Sequence, residues 1–248
     1  MARIVLVTGG SSGIGHAVAR HFAREGSQVV ITGRTEARLA AAAKELGPDV
    51  RRVVCDAADP AAVARLVAEL PAVDVLVNAA GGLGRPAAGA ESDAGPGAEL
   101  ERVAAQWRAD LDANLFTAVL TTSAYRERLV PGSTVISIGS IGAERRGGSY
   151  GAAKAALAAW NAALSADLGP RGVTCNVISA GYIAGTQFFA GVGGVSPERH
   201  AALIAETHDK RAGSVEDIAA TAFFLASPGA RHITGQTIHV NGGAWTTR

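Results

Sequence analysis

Apolar and polar positions divide the chain into two alternating kinds of segment. Short runs rich in Val and Ile, without a polar residue at every second position, are typical of strands buried on both faces of a parallel sheet. Between them, apolar residues recur every three or four positions, which predicts helices. The predicted strands are 3–7, 28–32, 51–55, 73–78, 133–138, 173–178 and 236–240, and the predicted helices are 13–25, 35–46, 60–70, 99–127, 150–168 and 215–226.

This order of elements predicts a single-domain α/β fold. Strands that alternate with helices favour a doubly wound, Rossmann-type parallel sheet with helices on both faces. Residues 1–248 are interpreted as one domain because the alternation continues without a linker or repeat. Residues 181–212 look irregular and contain Tyr182, Phe188 and Phe189, so we expect a substrate lid there, with a mobile surface loop as the alternative.

Composition and charge narrow the classes of function. The 23 basic and 22 acidic residues nearly cancel, which gives no support to a nucleic-acid or membrane partner. No apolar stretch approaches the length of a membrane span. Cys55 and Cys175 are far apart in apolar surroundings, so we expect buried thiols in a reducing cytoplasm rather than a disulfide. No His, Cys or carboxylate cluster has metal-ligand spacing, so no metal site is predicted.

A glycine-rich turn follows the first predicted strand and opens the first predicted helix. Glycines allow the backbone to turn sharply and to approach a pyrophosphate, and a helix N-terminus supplies unpaired N–H groups. The turn therefore predicts a dinucleotide site, while a purely structural turn is the alternative. Its candidate binding residues are Gly9, Ser11, Ser12, Gly13, Ile14 and Gly15.

The end of the second predicted strand indicates which dinucleotide binds. Folds specific for NAD place an acidic residue there, which binds the ribose 2′-hydroxyl and repels a 2′-phosphate. Here Gly33 occupies that position, and Arg34 and Thr35 follow. A guanidinium matches phosphate oxygens, so the sequence predicts NADP(H), with Arg34 and Thr35 as cofactor residues. The alternative is that Arg34 stacks beside the adenine or faces solvent.

Tyr150 and Lys154 stand four residues apart in an Ala- and Leu-rich segment that predicts a helix. Side chains at this spacing share one helical face. A phenol with an ordinary pKa of about 10 is a poor acid at neutral pH, and a neighbouring ammonium favours the phenolate. The pair therefore predicts an acid–base tyrosine whose pKa is lowered by Lys154, although this spacing also arises by chance in surface helices.

The glycine spacing and the Tyr150–Lys154 pair together resemble the short-chain dehydrogenase/reductase family in its compact form. The resemblance covers almost the whole chain, with further matching segments at 78–81, 107–115, 135–140, 176–183 and 233–243. It implies that Tyr150 protonates a ketone oxygen and that Lys154 also holds the nicotinamide ribose. Ser140 is implied to donate a hydrogen bond to the same oxygen. Asn114 is implied to keep a water that relays protons.

Two of these assignments have alternatives in the sequence. Asn114 can instead satisfy buried backbone groups, and both roles are compatible. Ser137 competes with Ser140 as the active serine, but we expect Ser137 inside its strand and Ser140 past the strand's end, where the cleft opens.

Further cofactor contacts are implied where the chain matches the family's motifs. Asp56 stands at the position that contacts the adenine amino group, with a loop-capping role as its alternative. Ala180 replaces the family's usual proline, and the loss of a fixed φ predicts either a looser lid hinge or a change in how the nicotinamide face is held. The cofactor residues implied beyond the glycine turn are Asp56, Ala57, Asn78, Ala79, Ala80, Gly81, Tyr150, Lys154, Gly181 and Ile183.

The resemblance implies an NADPH-dependent ketoreductase acting on a bulky ketone, such as a polyketide or 3-oxoacyl group. An NAD-linked dehydrogenase of small or cyclic alcohols and a non-catalytic nucleotide-binding protein are the alternatives. A sugar-nucleotide epimerase is disfavoured, because that branch has a different glycine spacing. A homotetramer is expected from the family and from helix 150–168, which is apolar around most of its circumference and so predicts burial against a partner subunit.

Overall fold

Seven parallel strands form one sheet at the centre of the computed structural model, which describes residues 2–86, 96–145, 147–190 and 194–247. Their order is β3-β2-β1-β4-β5-β6-β7, so the chain winds outward from β1 in both directions. This confirms the predicted doubly wound sheet. The strands are β1 (Ile4–Thr8), β2 (Gln28–Gly33), β3 (Arg51–Val54), β4 (Val75–Asn78), β5 (Thr134–Ser140), β6 (Thr174–Ala180) and β7 (Thr237–Val240).

Helices cover both faces of the sheet, and each face has its own hydrophobic core. In β1, Val5 and Val7 pack into one core and Leu6 into the other, which explains why the strand is apolar at every position. The helices are α1 (Gly13–Arg24), α2 (Glu36–Leu46), α3 (Pro60–Glu69), α4 (Pro96–Leu111), α5 (Thr117–Tyr125), α6 (Gly142–Arg145), α7 (Ser149–Leu168), α8 (Gln187–Ala190), α9 (Pro197–Ala205) and α10 (Val215–Leu225). The first core lies under α1, α2 and α10, and the second lies under α3, α5 and α7.

Two strands extend further than the apolar runs indicated. β5 ends at Ser140 and β6 at Ala180, two residues beyond the predicted ends at 138 and 178. Ser140 is therefore the last residue of its strand, paired in register with Ala180, and the expectation that it lies past the strand's end was wrong. The polar and small residues there continue the ladder because β5 and β6 supply each other with backbone partners up to Ser140 and Ala180.

The predicted continuous helix 99–127 was also wrong. α4 begins at Pro96, and a π-helical turn, Asp112–Phe116, separates it from α5. In the turn, the Asn114 side chain donates to the Asp110 carbonyl of α4 at 3.0 Å, and at the start of α5 the Thr117 hydroxyl donates to the Ala113 carbonyl at 3.1 Å. Both side-chain donors bond to carbonyls four residues earlier, where the helix widens. Such π-helical turns are often found at functional sites.

Residues 181–212 contain more regular structure than expected. The helices α8 and α9 both fall in this segment, and the Ser196 hydroxyl caps α9 by accepting from the Arg199 N–H at 3.2 Å. Residues 191–193, including Gly191 and Gly193, lie outside the described part of the chain. The description of this segment as irregular throughout was therefore wrong.

Three predictions about composition can be compared with the described residues. Cys55 and Cys175 are free and buried, as expected. Within the described ranges, no group of three His, Cys, Asp or Glu side chains is placed to hold a metal ion. None of the helices built from described residues is both long and apolar enough to cross a membrane.

Candidate active site

The sequence-predicted site residues meet at the carboxyl edge of the sheet. Thr8, Asn78, Ser140 and Ala180 end β1, β4, β5 and β6, which are adjacent strands. Parallel strands place these ends along one edge, so the loops that follow them border one cleft.

The glycine turn has the geometry of a pyrophosphate cradle. Gly9 has φ +69°, and a Cβ there would lie 2.8 Å from the Cα of Ala80, so only glycine allows this close approach. A Cβ at Gly15 would collide with the Gly9 carbonyl oxygen. Gly13, at the N-terminus of α1, has φ +56° and open space on its Cβ side. The turn is therefore closed towards the protein and open at the helix N-terminus, where a pyrophosphate fits.

The loop after β4 is held by a residue that sequence reasoning did not single out. The Thr8 hydroxyl, buried at the end of β1, accepts from the N–H groups of Ala79 (3.2 Å) and Ala80 (3.1 Å). The Asn78 amide donates to the hydroxyl of Thr122 at 2.9 Å. Asn78 and Thr8 are paired in register, and that pairing is the signal that identifies Thr8. Together these bonds fix the loop against the glycine turn.

Asn114 and Lys154 meet at Gly81. A Cβ at Gly81 would lie 2.9 Å from Asn114 Oδ1 and 3.4 Å from Lys154 Nζ. The Asn114 amide donates to the Gly82 carbonyl at 2.8 Å and its oxygen accepts from the Gly82 N–H at 3.0 Å. Asn114 therefore does satisfy buried backbone groups, and the same bonds bring it beside Lys154.

Lys154 is buried and points towards the sheet. Its Nζ donates to the carbonyl oxygen of Ile138 at 2.8 Å. Burial lowers the pKa of Lys154 to about 8, because an ammonium is poorly solvated there. The lysine thus stays mostly protonated at pH 7, although its pKa lies well below the ordinary value.

Tyr150 lies in the first turn of α7, with Ser140 beside it. Burial raises the pKa of Tyr150, a hydrogen bond with the Ser140 side chain lowers it, and the charge of Asp110 raises it. Lys154 Nζ lies 6.0 Å from the centre of the phenol ring. The expectation that Lys154 sets a lowered pKa for Tyr150 was wrong for this structure: desolvation of the phenolate is the larger effect.

The structure separates the two candidate serines. Ser137 is fully buried within β5, and its hydroxyl lies 3.4 Å from the Asn78 amide nitrogen. Ser140 Oγ accepts from the Gly142 N–H at 3.0 Å and contacts Tyr150. Ser140 is therefore the serine that shares a cleft with Tyr150.

At the opposite end of the cleft, Arg34 is exposed and makes no hydrogen bond or ion pair with any described residue. Glu36 instead pairs with Arg52 at 3.0 Å, so its carboxylate is engaged away from Arg34. Ser11 Oγ would lie 3.5 Å from a Cβ at Gly33. A guanidinium and a hydroxyl thus border the end of β2.

Asp56 and Thr35 complete this end of the cleft. One Asp56 carboxylate oxygen accepts from the Ala58 N–H at 3.0 Å, so the loop-capping role is present, and Ala57 is buried beside it. The Thr35 side chain stands at the N-cap of α2 without making a capping bond.

The segment after β6 is fixed by close backbone packing. A Cβ at Gly181 would lie 2.6 Å from the Cβ of Asn241, and the Gly181 N–H donates to the Val240 carbonyl at 3.1 Å. Ile183 is buried, and its carbonyl accepts from the buried Thr186 hydroxyl at 3.0 Å. Asn241 bonds backbone groups of Gly243 and Trp245, which holds the chain after β7 in place.

Comparisons with known proteins agree with this geometry. A family model described as enoyl-(acyl carrier protein) reductase matches residues 9–245. A putative oxidoreductase of Mycobacterium tuberculosis is 36% identical over 241 residues, 97% of both chains. The 3-oxoacyl-(acyl-carrier-protein) reductase FabG of Escherichia coli is 31% identical over 252 residues, 98% of this chain and 97% of the relative.

The chain belongs to the short-chain dehydrogenase/reductase family. A solved structure supports the same conclusion: a blue fluorescent protein from a metagenomic library, in complex with NADPH, is 33% identical, has a TM-score of 0.80 and matches over 98% of both chains. As a short-chain dehydrogenase/reductase, the protein is an oxidoreductase with a Rossmann-type sheet.

This short-chain dehydrogenase/reductase carries a row of aromatic rings beside Tyr150. The Phe188 ring lies 5.2 Å from the Tyr150 ring and 5.0 Å from Phe189, which lies 4.8 Å from Tyr182. The Tyr182 hydroxyl is 2.7 Å from His200 Nδ1 on α9. Tyr182 is 8% exposed and Phe188 37%, so Tyr182 packs under α8 while Phe188 faces the cleft.

Sequence reasoning also missed a buried carboxylate near Tyr150. Asp110 lies four residues before Asn114 in the segment 107–115 that matches the family, and it is 2% exposed. Its spacing from Asn114 places both on one helical face, which was the available signal.

Proposed function

We propose that this protein reduces a ketone to a secondary alcohol with NADPH. The observation that carries the proposal is the meeting of Ser140, Tyr150, Lys154 and Asn114 at one edge of the sheet. A non-catalytic nucleotide-binding protein is disfavoured, because it has no need of this set. Relatives named as 3-oxoacyl reductases and the likeness to a structure in complex with NADPH support the same reading.

The cofactor residues act by shape and by charge. The glycine turn, with Ser11, Ser12 and Ile14, would receive the pyrophosphate at the N-terminus of α1. Arg34 and Thr35 would hold the 2′-phosphate, and Asp56 with Ala57 would border the adenine. Asn78, Ala79, Ala80 and Gly81 would border the nicotinamide half from one side, and Gly181 and Ile183 from the other. When bound, NADPH supplies a hydride for the carbonyl carbon.

The protein's own groups handle the carbonyl oxygen. Ser140 donates a hydrogen bond to that oxygen, which stabilises the negative charge that develops as the carbon is reduced. Tyr150 then gives its phenolic proton to the same oxygen, forming the alcohol. The raised pKa of Tyr150 keeps the phenol protonated at neutral pH, which is the form that reduction requires. Lys154 would return a proton to Tyr150, relayed by a water that Asn114 keeps.

The substrate of this reaction is proposed to be bulky and partly apolar, such as a 3-oxoacyl or polyketide ketone. Phe188 stands beside Tyr150 with more than a third of its surface exposed, so an apolar chain next to the reacting carbonyl would contact its ring. Phe189 and Tyr182 support Phe188 from below, and the Arg145–Glu206 ion pair (2.8 Å) ties α6 to the end of α9.

The substrate prediction is tested with a panel of small and large ketones, assayed with NADPH at the nicotinamide absorbance band. Wild type is expected to prefer large ketones. Phe188→Ala is expected to raise KM for large ketones by about tenfold or more, since a buried aromatic contact of a few kcal/mol is lost, and to change KM for small ketones little. Phe189→Ala is the matched control, because it loosens the packing under α8 without removing the exposed ring. Equal effects of Phe188→Ala on both ketone classes would assign Phe188 to packing alone.

We also propose a homotetramer. α7 is not buried on every side in the monomer: Ala152, Ala155, Ala159 and Ala163 are exposed along one face. On the neighbouring helical segment, Trp107 is 43% and Phe116 44% exposed. A second copy of the chain packed on this apolar face would remove it from water.

Light scattering at micromolar concentration is expected to give the mass of four chains. Ala159→Arg on α7 would place a charge in the contact, which is costly to bury unpaired, and is expected to release smaller species. A control substitution, Ala37→Arg on the exposed surface of α2, should leave the mass unchanged. A wild-type protein that scatters as a monomer would refute the tetramer.

A further inference from the structure

Asp110 is a buried carboxylate that joins three separate segments beside Tyr150. Its Oδ1 accepts from the Gly84 N–H at 2.8 Å, in the loop after β4. Its Oδ2 accepts from the Gln106 amide at 2.9 Å and from the Ser149 hydroxyl at 2.6 Å. Gln106 also donates to the Gly84 carbonyl at 3.0 Å. The carboxylate therefore connects the β4 loop, α4 and the first turn of α7.

This arrangement requires an ionised acceptor. Three donors converge on two oxygens, and a carboxylate can accept all three, while an amide at the same place presents donors to Gln106. A side chain this deeply buried with a full set of partners is costly to lose, because the donors would be left unsatisfied. Asp110 also lies close to two candidate site residues. Its partner Ser149 directly precedes Tyr150, and Asn114 lies one helical turn from Asp110.

We propose that Asp110 is a positioning residue, which through Ser149 ties the first turn of α7 to the β4 loop and so holds the Tyr150 phenol in place. The proposal rests on the proposed function, in which Tyr150 is the proton donor. It adds a role for a residue that touches neither substrate nor cofactor.

The hydrogen bonds of Asp110 fix the position of Tyr150, and the negative charge of Asp110 favours the protonated form of the phenol. A nearby anion disfavours the phenolate, and Asp110 raises the pKa of Tyr150. The other polar or charged groups that face the phenol are Ser140, which opposes this shift by hydrogen bonding, and Lys154, whose Nζ lies 6.0 Å from the ring centre. On α6, Arg145 is paired with Glu206. The Asp110 carboxylate is therefore the anion that raises the pKa of the phenol.

The test compares Asp110→Asn with Asp112→Asn. Asp112 lies two residues away and is exposed, so its variant makes the same change in charge without touching the network. For ketone reduction, we expect kcat/KM to fall at alkaline pH as the phenol loses its proton. Asp110→Asn is expected to move this fall to lower pH by about half a unit or more, and Asp112→Asn is expected to leave it in place.

A second variant separates position from charge. Ser149→Ala removes the bond to α7 and keeps the carboxylate, so kcat is expected to fall by about tenfold through misplacement of Tyr150. The alkaline fall should then not move to lower pH. If Asp110→Asn does not fold, Ser149→Ala decides alone, and an unchanged kcat would overturn the proposal.

A readout that needs no turnover keeps this inference distinct from the proposed function. The tyrosinate absorbance of each protein is titrated, and the titration of the same protein carrying Tyr150→Phe is subtracted. The Tyr150 transition is expected at lower pH in Asp110→Asn than in Asp112→Asn. Coincident transitions would refute the role of Asp110, whereas shifted transitions in a protein that reduces no ketone would refute the proposed function alone.

Discussion

Replacing Tyr150 by phenylalanine is expected to lower turnover by about 10²–10⁴-fold, the usual loss for one acid–base group. The variant keeps the ring and its contact with Phe188 and loses only the hydroxyl that would protonate the ketone oxygen. NADPH binding, measured by cofactor fluorescence, should remain nearly intact, because the glycine turn and Arg34 are untouched.

Tyr125→Phe is the matched control for this loss. Its hydroxyl is also buried and donates to the Leu70 carbonyl at 2.9 Å, on the α3 side of the sheet. Losing that bond should lower the free energy of unfolding by about 1–3 kcal/mol, because a buried carbonyl is left unsatisfied, without changing kcat. If Tyr150→Phe instead turned over ketones at the wild-type rate, Tyr150 would not be the proton donor.

The parts of this fold that could be predicted from sequence are those set by local pattern. Strands buried on both faces leave unbroken apolar runs, and the glycine turn between β1 and α1 specifies its own backbone. Tyr150 and Lys154 were found from their spacing in a predicted helix, and Ser140 was found from the resemblance to the family. The chain order of these elements was enough to predict one cleft at the carboxyl edge of the sheet.

The parts that could not be predicted depend on burial and on contacts between distant segments. The pKa of Tyr150 is raised because the ring is desolvated, and a helical spacing to Lys154 carries no information on burial. In the sequence, Asp110 is a polar residue in a predicted helix. Its burial becomes visible only in the structure, where Gly84 and Ser149 donate hydrogen bonds to its carboxylate. The π-helical turn at Asn114 likewise depends on side-chain bonds to carbonyls within the helix.

One missed element did have a local signal. Ser196 followed by Pro197 is a typical helix start, with a capping hydroxyl and a proline in the first turn. It predicts α9, but the glycines around it favoured an irregular segment. Ala180 ends β6 in regular pairing with Ser140. The looser hinge that the loss of proline predicts at this position stays a prediction.

We expect kcat/KM to be at least about tenfold higher with NADPH than with NADH, which corresponds to a difference of about 1.4 kcal/mol in transition-state stabilisation. Gly33 leaves no carboxylate to repel a 2′-phosphate, and the exposed Arg34 has no partner among the described residues. Glu36, the nearest acid, is held by Arg52. The guanidinium of Arg34 is permanently charged and can bind a phosphate through two N–H groups, so it is the strongest phosphate-binding group that we identify at this end of the cleft.

The double substitution Gly33→Asp with Arg34→Ala is expected to reverse this preference. A Cβ at Gly33 would lie 3.5 Å from Leu39 and from Ser11 Oγ, an ordinary contact, so the new side chain can be accommodated. Its carboxylate would accept from the ribose 2′-hydroxyl and repel the phosphate. Arg24→Ala, at the opposite end of α1 from the glycine turn, is the control and should leave the ratio of kcat/KM values unchanged. Equal use of NADPH and NADH by the wild type would show that Arg34 faces solvent and reads no phosphate.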